Sequence, residues 1–112
     1  MIRGLLMLFL IFLAVNSSEQ KLQWFKVWNR SDSVIHNLHL FSNSLALLAP
    51  GMESDYLIYK HSPLTDDTMI YCEINGQRYA RYLELPSDKA EYFTYSIDSL
   101  QNGILYVSML EE

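Results

Sequence analysis

The sequence predicts an all-β fold, a single small antiparallel β-sandwich of about seven strands and immunoglobulin-like form. Three observations carry that expectation. Runs of alternating apolar and polar residues recur with turn signals every eight to twelve residues or so. Asn75-Gly76 sits between two runs of β-branched and aromatic residues, the strongest short-range signal for a two-residue β-hairpin. Beyond the N-terminal apolar run, no segment sustains an i, i+3, i+4, i+7 apolar stripe for three turns. A small open β-barrel satisfies the same strand list and is the alternative.

The chain begins with the plan of a secretory signal peptide. Arg3 precedes an unbroken apolar run, Leu5 to Val15, and small residues follow at Ser17 and Ser18. Cleavage after Ser17 is expected, giving residues 1–17 as leader and 18–112 as one domain. The run is shorter than the roughly 20 apolar residues that a spanning helix needs, so no stable membrane insertion is expected. The expected location is therefore secreted or periplasmic.

Leu22 to Asn29 reads as the first strand, with Leu22, Trp24, Lys26 and Trp28 on one face and Gln23, Phe25, Val27 and Asn29 on the other. Asn29 to Ser33 is a turn cluster. Val34 to Phe41 alternates next, placing His36 with Val34, Leu38 and Leu40, and His39 with Ile35, Asn37 and Phe41. Ser42-Asn43-Ser44 breaks it, and Leu45 to Leu48 is a short apolar run. Pro50-Gly51 suits positions i+1 and i+2 of a type II turn. Met52 to Lys60 reads as a strand, ended by the polar stretch around Pro63.

A two-residue Asn75-Gly76 loop fixes the next pairing: Ile74 with Gln77, Glu73 with Arg78, Cys72 with Tyr79, Tyr71 with Ala80 and Met69 with Tyr82. Glu73 and Arg78 then face one another, a contact of about 0.2–1 kcal/mol. Ile70, Cys72, Ile74, Tyr79 and Leu83 form the expected core face, and Arg81 falls on it near the sheet's end. Glu91 to Asp98 and Ile104 to Leu110 are the last strands, with Ser99 to Gly103 turning the chain. The stretch 27–54, with Asn-x-Ser, an alternating strand and Leu-x-Pro-Gly, resembles immunoglobulin-like modules of bacterial envelope proteins.

A formal charge of −5, spread without a basic patch, argues against nucleic acid and anionic membrane surfaces as partners. The single cysteine, Cys72, allows no intramolecular disulfide, so the domain depends on its core, to which eight Tyr, five Phe and two Trp are suited. A domain of this kind without disulfides points to a bacterial envelope. Asn29-Arg30-Ser31 matches the N-glycosylation pattern, which matters only in a eukaryotic secretory pathway.

No catalytic, cofactor-binding or metal-binding motif is present. His36 and His39 fall on opposite faces of an uninterrupted strand and cannot share an ion without a bulge. Cys72 is expected to be an inert buried thiol. Thr65, Asp66, Asp67 and Thr68 offer oxygens but no calcium-loop spacing, and read as a solvated loop. The constellation worth pursuing is Trp24, Lys26 and Trp28. Either the indoles form the core with Lys26 reaching out between them, or Phe25 and Val27 serve the core and the indoles are left for a ligand. The expectation is a non-enzymatic exported module that binds another envelope or extracellular protein. A carbohydrate-binding module using Trp24 and Trp28 and a small secreted hydrolase are the alternatives.

Overall fold

Eight strands make two four-stranded sheets in the computed structural model, which describes residues 22–62 and 67–112. The expected leader, residues 1–17, and the loop residues Pro63, Thr65 and Asp66 lie outside the described residues. The strands are β1 (Trp24–Asn29), β2 (Ile35–Leu40), β3 (Asn43–Leu48), β4 (Leu57–Ile58), β5 (Met69–Ile74), β6 (Gln77–Tyr82), β7 (Tyr92–Gln101) and β8 (Ile104–Glu111). Sheet I has the order β4-β1-β7-β8 and sheet II the order β3-β2-β5-β6. Their inner faces meet in a sandwich, and neither sheet closes into a barrel.

Pairing is antiparallel throughout except between β1 and β7, which run parallel with Phe25 beside Phe93 and Val27 beside Tyr95. A parallel neighbour needs a crossover, and here the whole of sheet II is the crossover. Sequence alternation specifies faces and not neighbours, so it does not reveal this pair.

Phe25, Phe93 and Tyr95 from sheet I meet Phe41 from sheet II in a ring cluster that Tyr59 and His61 extend. Phe25 stacks on Phe93 at 5.8 Å between centroids, and Phe41 meets Tyr59 edge-on at 5.0 Å. Ile35, Leu38, Leu40, Ile70, Cys72, Ile74, Ile97 and Leu105 complete the core. The buried Tyr95 hydroxyl donates to Glu84 O at 2.6 Å, which satisfies the one polar atom this ring brings inside.

Three hairpins turn on two residues with positive φ at both positions, as a type I′ turn requires: Asn75-Gly76, Asn102-Gly103 and Phe41-Ser42. The Asn75-Gly76 register is the expected one at every pair, with Arg78 Nε 3.7 Å from Glu73 Oε1. The strand Glu91 to Asp98 runs on to Gln101, because the turn occupies only Asn102-Gly103. Phe41-Ser42 replaces the expected break at 42–44 and makes β3 the direct hairpin partner of β2. Met52 to Lys60 is strand only at Leu57–Ile58, plus a bridge between Trp28 and Glu53. Ser54 explains part of that, since its side-chain Oγ, not a backbone carbonyl, accepts from Val27 N.

Asn29 ties the β1 end to the next two turns. Its side chain is fully buried, and Nδ2 donates to Ser33 O at 2.7 Å and Leu48 O at 2.9 Å. Oδ1 accepts from Ser31 N and Ser31 Oγ. The Pro50-Gly51 turn, closed by Met52 N on Ala49 O with Gly51 at φ 81°, packs on the same backbone through Gly51 N to Asn29 O. The Asn-x-Ser and Leu-x-Pro-Gly segments thus form one hydrogen-bonded unit.

Candidate functional site

Phe25 and Val27 fill the core, so Trp24, Lys26 and Trp28 point to the outer face of sheet I, each half-buried. This decides between the two placements of the indoles. Parallel pairing then sets Tyr92, Thr94 and Ser96 beside them, while β4 brings Ile58 next to Trp24. Thr94 and Ser96 lie on this outer face and are nonetheless buried, because their larger neighbours cover the sheet.

Polar contacts lock the face. Lys26 Nζ is 3.5 Å from Glu53 Oε1 and 5.1 Å from the centre of the Tyr56 ring. Partial desolvation pulls the Lys26 ammonium down, but Glu53, Tyr56 and Glu112 outweigh it and hold the group above its ordinary value. The Tyr56 hydroxyl donates to both Glu112 carboxylate oxygens, at 2.9 and 3.0 Å, and this bond raises its pKa. The Tyr56 ring meets Tyr92 edge-on at 5.2 Å. At the other end, the Arg30 guanidinium lies 5.0 Å over the Trp28 ring and 3.9 Å from Asp98, which accepts from Ser96 Oγ at 2.6 Å. A polar groove of about 420 Å³, lined in part by Arg30, Asp32, Asp98 and Gln101, opens beside this pair.

The face therefore has an apolar end, Trp24 with Ile58 and Tyr92, and a charged end, Trp28 with the Arg30–Asp98 pair. Tyr92 and Arg30 belong to it but do not stand out in the sequence. Tyr92 joins through the parallel pairing, and Arg30 through the turn that carries it back over Trp28. For Arg30, the nearest sequence signal is its place two residues after an outward-facing tryptophan.

His39 and Cys72 line one open groove of sheet II, but His39 is exposed on the outer face and Cys72 is buried on the core face; among the described residues His36, His61 and Asp67 do not join them. A bulge at Asn37, whose φ is 48°, shifts the register of β2 against β5 between His36 and His39. Both histidines consequently point outward, which corrects the opposite-face expectation; the extra residue resets the alternation. Even so, among the described residues no three His, Cys, Asp or Glu side chains are grouped to hold a metal ion. His39 Nδ1 lies 3.0 Å from Ser44 Oγ in an exposed pair. No acid contacts that histidine among the described residues, so the pair lacks the third group that orients a catalytic base. Asn37 Nδ2 donates to Glu73 Oε2 at 3.2 Å, beside an open groove of about 330 Å³ that Tyr71, Arg78 and Tyr79 also line.

Cys72 is on the core face as expected, and burial pushes its thiol up to about 11. Less than about one per cent is thiolate at neutral pH, too little for an efficient nucleophile. Asp67 accepts from the Tyr71 hydroxyl at 2.9 Å. His61 packs against both Phe41 and Tyr59 at the core margin.

Comparison with protein-family models, with curated proteins and with solved structures finds no match. The functional reading therefore rests on these residues.

Proposed function

We propose that this is an exported, non-enzymatic β-sandwich that binds another envelope or extracellular protein through the outer face of sheet I. One observation carries the reading. Trp24 and Trp28, with Arg30, Tyr56 and Tyr92, are collected on a single sheet face while the opposite face of β1 fills the core. Trp, Tyr and Arg are the side chains that dominate protein interfaces, because each adds large contact area at low conformational cost. The hydrogen bonds and ion pairs around Lys26 and Tyr56 hold that face in one arrangement before any partner arrives. Export is supported by Arg3, the apolar run Leu5 to Val15 and Ser17. A non-enzymatic role is supported by the buried, protonated Cys72 and by an exposed His39–Ser44 pair that no acid contacts among the described residues.

The test is capture of envelope proteins on the immobilised protein, repeated with Trp24→Ala and Trp28→Ala. Loss of the same captured species in both variants, with unchanged circular dichroism, is the expected result. Equal capture by wild type and both variants would remove this face from the function.

A carbohydrate ligand is the second reading, and Trp24 is the residue that favours it. Among the described residues no cation or second ring lies over its indole, unlike that of Trp28, so a sugar ring has a face to stack on. Glycan-array binding that disappears in Trp24→Ala would select this reading over the first.

A further inference from the structure

A sandwich has four sheet edges, and three of these are protected. β4 is only two residues long. β6 and β8 lie beside one another across the sandwich, with the Arg81 guanidinium 5.9 Å from the centre of the Tyr106 ring. β6 also carries Arg78, and β8 carries Glu111. Charged side chains, short strands and mutual cover are the usual defences against unwanted strand pairing.

β3 has none of these. Asn43-Ser44-Leu45-Ala46-Leu47-Leu48 contains no charge and no proline, and it forms one edge of sheet II. Among the described residues its backbone pairs only with β2, apart from Leu48 O, which Asn29 Nδ2 takes. Leu47 is 49% exposed. The neutrality extends well beyond the strand: residues 33–52, the whole β2–β3 hairpin with its flanks, contain no Asp, Glu, Lys or Arg.

We propose that β3 pairs antiparallel with β3 of a second copy across a two-fold axis, joining two four-stranded sheets into one continuous sheet. Charge selects the occupant. The chain carries a net −5, so two copies repel over most of their surface. The β2–β3 hairpin is where two copies can meet without bringing like charges together. An isologous pairing sets this neutral segment against itself and satisfies both rows of free amides and carbonyls. It also covers Leu47 on each side. A charged partner strand would find no counter-charge on this edge. The inference does not depend on the tryptophan face, which belongs to the other sheet.

The experiment is sedimentation velocity on the purified full chain over a range from low to high micromolar, with amide hydrogen exchange at both ends of that range. Wild type is expected to shift from monomer to dimer, with β3 amides slowed at high concentration and those of β6 and β8 unchanged. Leu47→Lys places like charges across the axis and should weaken the dimer by about tenfold or more. Leu110→Lys makes the same change on β8, at another exposed leucine, and should leave it intact. Ser44→Lys is the milder second probe should Leu47→Lys lose its circular dichroism signal, and the same weakening is expected. A wild-type chain that remains monomeric throughout would overturn the proposal and leave the edge to an unlike strand. A dimer that survives both β3 variants, or whose protected amides lie elsewhere, would equally overturn it.

Discussion

Two hairpins of sheet II make the same turn for different reasons. At Asn75-Gly76, φ is 51° and 78°, and both residues enter the left-handed region readily. At Phe41-Ser42, φ is 47° and 62°, and neither residue prefers that region. The left-handed conformation costs an ordinary residue about 1–2 kcal/mol. Burial offsets it at Phe41, whose ring is 2% exposed and contacts Phe25, Tyr59, Tyr95 and His61. Burying a phenylalanine contributes about 1.5–3 kcal/mol, with about 0.5–1.5 more for a well-placed ring pair. The first turn is local chemistry. The second is imposed by the core.

This contrast sets the order of expected mutational effects. Phe41→Ala should be the most damaging change in either turn, costing about 3–5 kcal/mol in urea unfolding, because the core loses the ring that holds the backbone there. A loss below about 1 kcal/mol would show that the turn forms on local preference after all.

The second effect concerns the thiol beneath the Asn75-Gly76 hairpin. Cys72 titrates near 9 when unfolded and is raised to about 11 by burial. Between these values the unfolded chain has lost the proton and the folded chain retains it, so stability falls as pH rises from about 9 and levels off for this group near 11. Two pKa units correspond to about 2–3 kcal/mol. Cys72→Ala should flatten that part of the profile. Tyr95, raised by burial among the rings around Phe41, should leave a further alkaline loss in the same variant.

Gly76→Val should cost about 1–2 kcal/mol, from backbone strain alone, since a Cβ at Gly76 meets nothing within 4 Å. Partner capture by the outer face of sheet I should survive it. A folded Gly76→Val protein that lost capture would connect the hairpin to the site.

The same division explains what is legible in the sequence. The sandwich class, the Asn75-Gly76 register, the Pro50-Gly51 turn and the core position of Cys72 all follow from local patterns, and the structure has them. Phe41-Ser42 offers no turn signal, so from sequence β3 is a loose apolar run and not half of a hairpin. Asn102-Gly103 carries the same signal as Asn75-Gly76, but the polar residues before it make the turn look longer. The bulge at Asn37 defeats strict alternation, which is why the pattern sets His36 and His39 on opposite faces. At the candidate site, the shared face of Trp24, Lys26 and Trp28 follows from period-two alternation. Tyr92 depends on which strands are neighbours, and a parallel crossover leaves no local trace; Arg30 and Tyr56 reach the face from loops, whose paths period-two alternation does not describe.

The four hydrogen bonds on the Asn29 amide have a consequence for how the chain can mature. Asn29-Arg30-Ser31 is an acceptor pattern for N-linked glycans. Attachment would replace a hydrogen on Nδ2, yet both are donated, to Ser33 O and Leu48 O, at a side chain with no exposed surface. A sugar added during translocation would thus arrive before the site closes and prevent it from closing. The folded domain and a glycosylated Asn29 exclude one another, and a host that glycosylates secreted chains is the wrong place to produce this one.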